Sequence, residues 1–240
     1  MHYFSHGFEI EDKGVGNLVT EADKKTERTI VELIKAEFSE HKVLAEEEHS
    51  ASVTAEHLWI IDPIDGTNNF AHGIPQFAVS VAYYYQGQAM VGVVLNPSSG
   101  ELFSATRGGG AFLNGEQIKV SEATALNQVV IGTGFYYDRG KMMERTLQSI
   151  RDLFARDIHG MRRLGAASLD LCFVAAGRFG AYFEYQLAPW DFAAARLIVE
   201  EAGGVVTQAN GEVLPLDHTT IAASNGAFHA ELVSCLKTSE

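Results

Sequence analysis

The chain has 240 residues, 46% of them hydrophobic and 20% charged, and this ordinary globular composition excludes a disordered or fibrous protein. Its 18 Lys and Arg residues against 31 Asp and Glu residues give a formal net charge of −13, whose field repels the backbone of a nucleic acid. A small phosphorylated substrate remains compatible with this charge if cations mediate its binding.

No apolar run reaches the length of a membrane-spanning helix, and the first residues lack the basic and apolar regions of a signal peptide. We therefore expect a soluble, cytoplasmic protein with neither a membrane nor a nucleic acid as its partner. Cys172 and Cys235 lie in apolar helical patterns without metal-ligand spacing, which predicts two buried free thiols.

The first half of the chain predicts a helix, a buried strand and then an antiparallel sheet. Apolar residues recur at helical spacing over residues 24–38, which predicts an amphipathic helix with Thr20 as its N-cap. The apolar run at 58–61 stops at Asp62-Pro63, as expected for a buried strand that meets a turn. Turn dipeptides over residues 77–120 predict an antiparallel meander.

From residue 129 onward strands alternate with helices, an order that predicts an α/β layer. The predicted strands are 129–134, 158–163, 180–184, 204–207 and 220–223, and the predicted helices are 141–155, 166–177, 190–202 and 226–237. We therefore expect two closely packed lobes with a cleft between them. The first, residues 1–124, is an α+β lobe with the antiparallel sheet, and the second, residues 125–240, is an α/β lobe.

The sharpest motif is D-P-I-D-G-T at residues 62–67. Asp62 and Asp65 follow a buried strand on either side of the rigid Pro63, so their carboxylates can converge on one point. Residues 66–70 predict the first turn of a short helix facing the same point, an arrangement that suits a phosphate bridged by divalent cations. The alternative is a plain surface turn, because Asp-Pro and Asp-Gly are common turn dipeptides.

Two more acidic residues stand at predicted element boundaries. Glu46 follows the short predicted strand 43–45, and Asp191 follows Trp190 at the start of a predicted helix. Taken singly, Glu46 could belong to a solvated acidic run and Asp191 could be a helix N-cap. Together with the motif at 62–67, they favour a metal site.

Several segments resemble the inositol monophosphatase family of Mg-dependent, lithium-sensitive phosphatases. They are G-N-L-V-T-E-A-D at 16–23, A-E-E at 45–47, residues 62–70, W-D-F-A-A at 190–194 and E-A-G-G at 201–204. Because they occur in the family's order along nearly the whole chain, the resemblance implies the family's five-layer αβαβα sandwich, which agrees with two packed lobes. It also implies a homodimer.

The resemblance implies a set of metal ligands. Glu46, Asp62 and the backbone carbonyl of Ile64 would hold the activating Mg²⁺, and Asp62, Asp65 and Asp191 would hold a second ion. A third, loosely bound ion near Glu46 is also considered. Most of these ligands come from the first lobe, and Asp191 comes from the second.

The resemblance also implies how the reaction proceeds. Thr67, paired with Asp23, would orient and deprotonate the attacking water with help from Glu46, and the amides of Gly66 and Thr67 would bind the phosphate. Direct attack of a metal-activated water on a phosphomonoester fits the chemistry of hard divalent cations.

For the substrate, the resemblance implies an inositol monophosphate or a similar polyol or sugar phosphate. Glu184 would accept hydrogen bonds from a polyol hydroxyl, and Gly165, Ala166 and Ala167 would form the pocket wall. Glu184 could equally be a solvated charge at a strand end. Relatives act on histidinol phosphate, fructose 1,6-bisphosphate, NADP or 3′-phosphoadenosine 5′-phosphate. A bisphosphate would need a further cationic pocket, for which the candidates are Arg139, Arg162, Arg163 and Arg178.

Three departures from the family pattern accompany the resemblance. Ala45 stands where a Gly is usual, Lys13 differs by one residue in its spacing to Asp23, and only Met1–Gly7 remain of the full amphipathic helix with which the family usually opens. A function of a different class, a regulatory protein contact on the same fold, remains the less favoured alternative, because a scaffold does not need so many carboxylates in one place.

Overall fold

The computed structural model describes residue 4, residues 10–14 and residues 17–236, with the backbone alone for 10–14 and 17–20. The side chains of Lys13 and Thr20 therefore lie outside the described residues, as does the segment Met1–Gly7 apart from Phe4. In the described part of the chain, no helix combines the length and the apolar character needed to cross a membrane.

Seven strands form the larger sheet and follow one another in space as they do in sequence. They are β3 (Lys42–Ala45), β4 (His57–Asp65), β5 (Ala78–Tyr85), β6 (Gln88–Asn96), β7 (Glu101–Thr106), β8 (Gly110–Leu113) and β9 (Glu116–Ile118). β3 and β4 are parallel, and the later neighbours are antiparallel. The meander predicted for residues 77–120 is confirmed.

Five strands form the smaller sheet, which mixes parallel and antiparallel pairs. They are β10 (Val130–Thr133), β11 (Gly160–Arg162), β12 (Ala181–Leu187), β13 (Val205–Thr207) and β14 (Thr219–Ser224). Their order in space is β11-β10-β12-β14-β13, with β10 parallel to β11 and β12 and with β14 antiparallel to its two neighbours. A separate antiparallel ribbon joins β1 (Ile10–Gly14) to β2 (Asn17–Thr20).

The described helices connect these strands close to the predicted positions. They are α1 (Glu21–Glu37), α2 (Thr67–Ala71), α3 (Lys141–Phe154), α4 (Ala167–Ala175), α5 (Pro189–Glu201) and α6 (His229–Cys235), with a 3-10 turn at Leu126–Gln128. Cys172 and Cys235 are buried free thiols, as predicted.

The central layer consists of α4 and α5, which pack between the two sheets. Leu169 and Leu197 of these helices share one apolar cluster with Ile60 of the larger sheet and Ile221 of the smaller sheet. Burying such side chains stabilises the fold by about 1.5–3 kcal/mol each. Because this cluster draws on both halves of the chain, the two predicted lobes have a common core. A boundary after residue 124 stays a prediction.

The outer layers follow from the alternation of side chains along the strands. In β12, Tyr182 joins the central cluster, and the next residue, Phe183, points to the opposite face. There it meets Leu153 of α3 and Leu232 of α6. On the far side of the larger sheet, α1 packs against the apolar side chains of β3 and β4. The order is helix, sheet, helix, sheet, helix, which confirms the five-layer αβαβα sandwich.

Two predicted strand ends were wrong, and so was the alternative interpretation of Asp191 as a helix N-cap. β4 does not end at Asp62-Pro63 but runs to Asp65, because pairing with β5 resumes at Asp65 after an irregular stretch. β12 runs to Leu187, so Glu184 lies inside the strand. α5 begins at Pro189, so Asp191 lies in its first turn and is not its N-cap.

Candidate metal and phosphate site

One cleft gathers acidic residues from both halves of the chain. Among the described residues, six acidic ones line it, and they are Glu46, Asp62, Asp65, Asp170, Glu184 and Asp191. Most of them come from the ends or first turns of elements, where a layered α/β fold exposes side chains without breaking its core, whereas Glu184 lies inside β12. The cleft brings together carboxylates that are more than 100 residues apart in the sequence.

The irregular end of β4 creates the carboxylate pair. In a regular strand, Asp62 and Asp65 would point to opposite faces, because they are an odd number of residues apart. The interrupted pairing with β5 instead lets both side chains reach the same point, where Asp191 joins them from α5. Carboxylate oxygens of Asp62, Asp65 and Asp191 lie within 4.8 Å of one another. The convergence predicted for the D-P-I-D-G-T motif is therefore present.

The proximity of like charges, together with burial, raises the pKa of these carboxyl groups. Burial raises the pKa of Asp62 well above its usual range, and the charges of Glu46, Asp65 and Asp191 raise it further. The pKa of Asp191 is likewise raised by desolvation in the cleft and by Asp65 and Glu46. A divalent cation bound by these oxygens would relieve the repulsion, and an all-oxygen donor set is the one that Mg²⁺ prefers.

Asp65 has a second set of contacts that the sequence did not reveal. Its carboxylate accepts hydrogen bonds from the backbone N–H groups of Ala167 (3.1 Å) and Ser168 (2.7 Å), and from the Ser168 hydroxyl. Burial raises the pKa of Asp65, and these bonds at the start of α4 oppose that rise. Asp65 therefore also ties β4 to the central layer.

The structure brings Thr67 and Asp23 together. The Thr67 hydroxyl lies 2.9 Å from the Ile64 carbonyl oxygen and 3.2 Å from Asp23 Oδ1, so its single proton has two acceptors. Asp23 is fully buried in the first turn of α1. Gly66 precedes Thr67 with φ +89°, and a Cβ there would lie 3.0 Å from the Gly165 carbonyl oxygen, so this close approach requires glycine.

Glu46 lines the cleft from the loop after β3, and Glu27 holds that loop in place. The Glu27 carboxylate is fully buried on α1 and accepts hydrogen bonds from the N–H groups of Glu47 (2.9 Å) and Glu48 (2.8 Å). It also lies 2.7 Å from His49 Nδ1. Sequence reasoning missed Glu27, although its position one helical turn after Asp23 places both residues on the same face of α1.

Glu184 lines the same cleft and is surrounded by close neighbours. Tyr182 donates a hydrogen bond to its carboxylate, and Gly134 approaches so closely that a Cβ there would lie 2.0 Å from Glu184 Oε2. Burial raises the pKa of Glu184 to about 7, against the opposing effects of Tyr182 and Arg163. Glu184 is thus a buried group, and its interpretation as a solvated strand-end charge is wrong.

The remaining sequence candidates divide between the cleft and other places. Gly165, Ala166 and Ala167 line the cleft, as do Gly66, Thr67 and Arg163. Arg139 lines an adjoining pocket that also includes Arg163. Arg178 forms an ion pair with Glu101 and lies over the ring of Phe173, and Arg162 donates to its neighbour's carbonyl oxygen.

Comparison with known proteins finds relatives along nearly the full length of the chain. The chain is 44% identical to an inositol-1-monophosphatase of Rhizobium meliloti over 219 residues, which cover 90% of this chain and 82% of that protein. It is 42% identical to a putative Nus factor SuhB of Neisseria meningitidis serogroup B over 227 residues, which cover 94% of this chain and 87% of that protein.

Solved structures superpose over nearly the full chain. The SuhB protein of Bartonella henselae gives a TM-score of 0.93 at 37% identity, covering 100% of this chain and 93% of that one. The Thermotoga maritima IMPase gives 0.90 at 38% identity, with 98% and 89% covered. The model of the inositol monophosphatase family matches residues 1–240. Because the family model matches the whole chain and these relatives cover at least nine-tenths of it, the chain belongs to the inositol monophosphatase family.

Proposed function

We propose that this metal-dependent phosphomonoesterase hydrolyses inositol monophosphate or a similar small polyol or sugar phosphate. The observation that carries the proposal is the convergence of Asp62, Asp65 and Asp191 oxygens within 4.8 Å in a cleft that the buried Glu184 also lines. A cation site beside a hydroxyl-binding carboxylate suits a substrate with a phosphate at one end and hydroxyls at the other.

The donor set fits two or three Mg²⁺ ions. Glu46, Asp62 and the Ile64 carbonyl would hold the first, and Asp62, Asp65 and Asp191 the second, with a weaker third near Glu46. A structure neighbour, an IMPase/NADP phosphatase, is complexed with Mg²⁺ and phosphate at 30% identity and TM-score 0.89. The chemistry that bound divalent cations supply is neutralisation of the phosphoryl oxygens and activation of a water molecule.

The protein groups around the phosphorus have separate tasks. Asp23 accepts a proton from the Thr67 hydroxyl, which frees the hydroxyl oxygen to accept one from the attacking water, and Glu46 assists. The amides of Gly66 and Thr67 bind the phosphate oxygens at the start of α2. Gly165, Ala166 and Ala167 form the wall along which the leaving group lies.

Glu184→Gln should lower kcat/KM for polyol phosphates much more than for other phosphates. If its carboxylate accepts a substrate hydroxyl, the loss should be roughly 1.5–3 kcal/mol, or about 10- to 150-fold in kcat/KM. An aryl phosphate without hydroxyls should lose much less. Because the pKa of Glu184 is about 7, its carboxylate is neutral below and charged above that pH. The wild-type ratio of polyol to aryl kcat/KM should therefore rise through pH 7, and the variant's ratio should not.

Glu116→Gln, on the exposed strand β9, is the matched control for this comparison. Equal losses of kcat/KM on both substrates would assign Glu184 to the catalytic framework, and no loss on either would remove it from the site.

Glu27→Gln should raise the Mg²⁺ concentration needed for half-maximal activity by about tenfold, or 1.4 kcal/mol. The glutamine side chain keeps one acceptor oxygen, but its NH₂ group would face a backbone N–H that now donates to Glu27. Losing that hydrogen bond should release the loop that carries Glu46. Turnover at saturating Mg²⁺ should change little. A metal titration of wild type, Glu27→Gln and the exposed Glu32→Gln on the same helix measures this, and an unchanged metal requirement would contradict it.

A bisphosphate or nucleotide phosphate is the second candidate substrate, supported by the adjoining pocket. Basic His72, Arg139 and Arg163 line that pocket, and no acidic side chain of the described residues does. Such a lining stands out in a chain of net charge −13. One relative is named fructose-1,6-bisphosphatase/inositol-1-monophosphatase, at 41% identity. A panel of inositol, sugar, histidinol, sugar bisphosphate and nucleotide phosphates, assayed for phosphate release with Mg²⁺, distinguishes the candidates.

A homodimer, a cytoplasmic location and lithium sensitivity also belong to the proposal. A Staphylococcal inositol monophosphatase of 30% identity is described as a LiCl-soaked inhibitory complex, which supports the last of these. Light scattering tests the homodimer, and a LiCl titration with a matched NaCl control tests lithium sensitivity. The regulatory alternative is supported by relatives named Nus factors, and the carboxylate cluster favours the enzyme.

A further inference from the structure

One buried carboxyl group in the cleft, Asp170, has no task in the site described above. Asp170 lies in the first turn of α4 and is 1% exposed. It lines the cleft beside Glu184, Tyr182 and Arg163. Its Oδ1 atom is buried and forms no hydrogen bond within the described residues.

An unpartnered acceptor of this kind is unusual, because nearly all buried polar atoms in folded proteins are hydrogen-bonded. Among the described residues, the other buried side-chain atoms without a partner are Gln76 Nε2 and Arg145 Nε, and neither residue lines the cleft. Burial and the charges of Asp65 and Glu184 raise the pKa of Asp170, against the effect of Arg163. The fold therefore tolerates an unfavourable group at a position that faces the site.

Asp170 is not one of the clustered carboxylates that would hold a metal ion. The oxygens that gather within 4.8 Å of one another belong to Asp62, Asp65 and Asp191. The charges of Asp65 and Glu184 act on Asp170, and the charge of Asp170 acts on Tyr182, which donates a hydrogen bond to Glu184. A hydrogen-bond donor that completes Asp170 would thus come from the polyol end of a substrate.

We propose that Asp170 is a specificity-determining residue, which accepts a hydrogen bond from a second hydroxyl of a polyol leaving group next to the hydroxyl held by Glu184. This inference rests on the proposed function. Two carboxyl groups in the same cleft would select ligands with neighbouring hydroxyls over those with one or none. The leaving group would supply the donor that no described protein group supplies.

The test compares Asp170→Ala with wild type on inositol 1-phosphate and on p-nitrophenyl phosphate. We expect KM for inositol 1-phosphate to rise about tenfold and kcat/KM for the aryl phosphate to change less than twofold. Asp170→Asn should recover part of the loss, since its amide oxygen still accepts. Both variants should melt at or above the wild-type temperature, because a buried carboxyl without a partner is removed. Asp157→Asn, on an exposed turn, is the control.

Equal losses on both substrates, or lower melting temperatures for both variants, would overturn the inference and make Asp170 a packing residue. Wild-type turnover of inositol 1-phosphate with unchanged Asp170→Ala kinetics would overturn this inference alone. A wild-type enzyme that hydrolyses the aryl phosphate and no polyol phosphate would overturn the proposed substrate class and this inference with it.

Discussion

Asp62→Asn should reduce turnover at least about a thousandfold, roughly 4 kcal/mol of transition-state stabilisation, while the metal-free protein melts at or above the wild-type temperature. Asp62 is the proposed ligand of both ions, so losing its charge should affect both. Its Oδ1 accepts the Ile64 N–H at 3.1 Å, and an asparagine oxygen can keep that bond. In the metal-free protein the substitution removes one of several repelling buried charges.

Asp62 is a sharper test than Asp65. An asparagine at Asp65 would turn a donor toward the Ala167 and Ser168 N–H groups, and a loss of activity would then mix charge with structure. Phosphate release and melting curves of wild type, Asp62→Asn and the exposed Asp157→Asn measure both effects. If Asp62→Asn retained turnover, the D-P-I-D-G-T motif would have only a structural role at the end of β4 and none in the reaction.

Mg²⁺ should raise the melting temperature, and chelation should abolish activity. Ligand at 100 times its Kd stabilises the folded state by about 2.7 kcal/mol, which corresponds to roughly 5–10 °C for a chain of this size. The raised pKa of Asp62 sets the pH dependence. A carboxyl with a raised folded pKa destabilises the metal-free protein as pH rises above its unfolded value of about 4. The gap between metal-free and loaded protein should therefore widen over that range.

Melting curves in excess EDTA and in Mg²⁺, each at several pH values, measure this effect, and Asp62→Asn should lose most of the response. A midpoint that Mg²⁺ leaves unchanged, or full activity in excess EDTA, would speak against a cation site among these carboxylates.

Local sequence patterns predicted most of the fold because the apolar spacing and turn residues that indicate a strand or helix lie within or beside that element. The turn dipeptides after residue 77 and the alternation after residue 129 lead directly to the two sheets. The boundaries that failed depend on distant partners. Pro63 predicts a turn by itself, but pairing of Asp65 with Ala78 on β5 continues the strand. The local sequence alone places Glu184 at the end of a strand. In the structure, pairing of Leu187 with Thr219 on β14 extends that strand beyond Glu184.

The candidate site divides in the same way. Asp62, Asp65, Glu46 and Asp191 stand out because acidic residues at element boundaries are visible in the sequence. Glu27 and Asp170 do not stand out, because their importance lies in burial and in contacts made or missing across the fold. An acidic residue within a helix is usually solvated, and only the packing of α1 and α4 shows that these two are not.

The most direct measurement is anomalous diffraction from crystals of the protein soaked in MnCl₂ and phosphate. Manganese has the same preference for carboxylate oxygens as Mg²⁺ and can be located by its own scattering. We expect an anomalous peak coordinated by Asp62, Asp65 and Asp191, a second beside Glu46 and the Ile64 carbonyl, and phosphate against the start of α2. Manganese bound elsewhere, with no peak among these carboxylates, would contradict the assignment of this cleft as the metal and phosphate site.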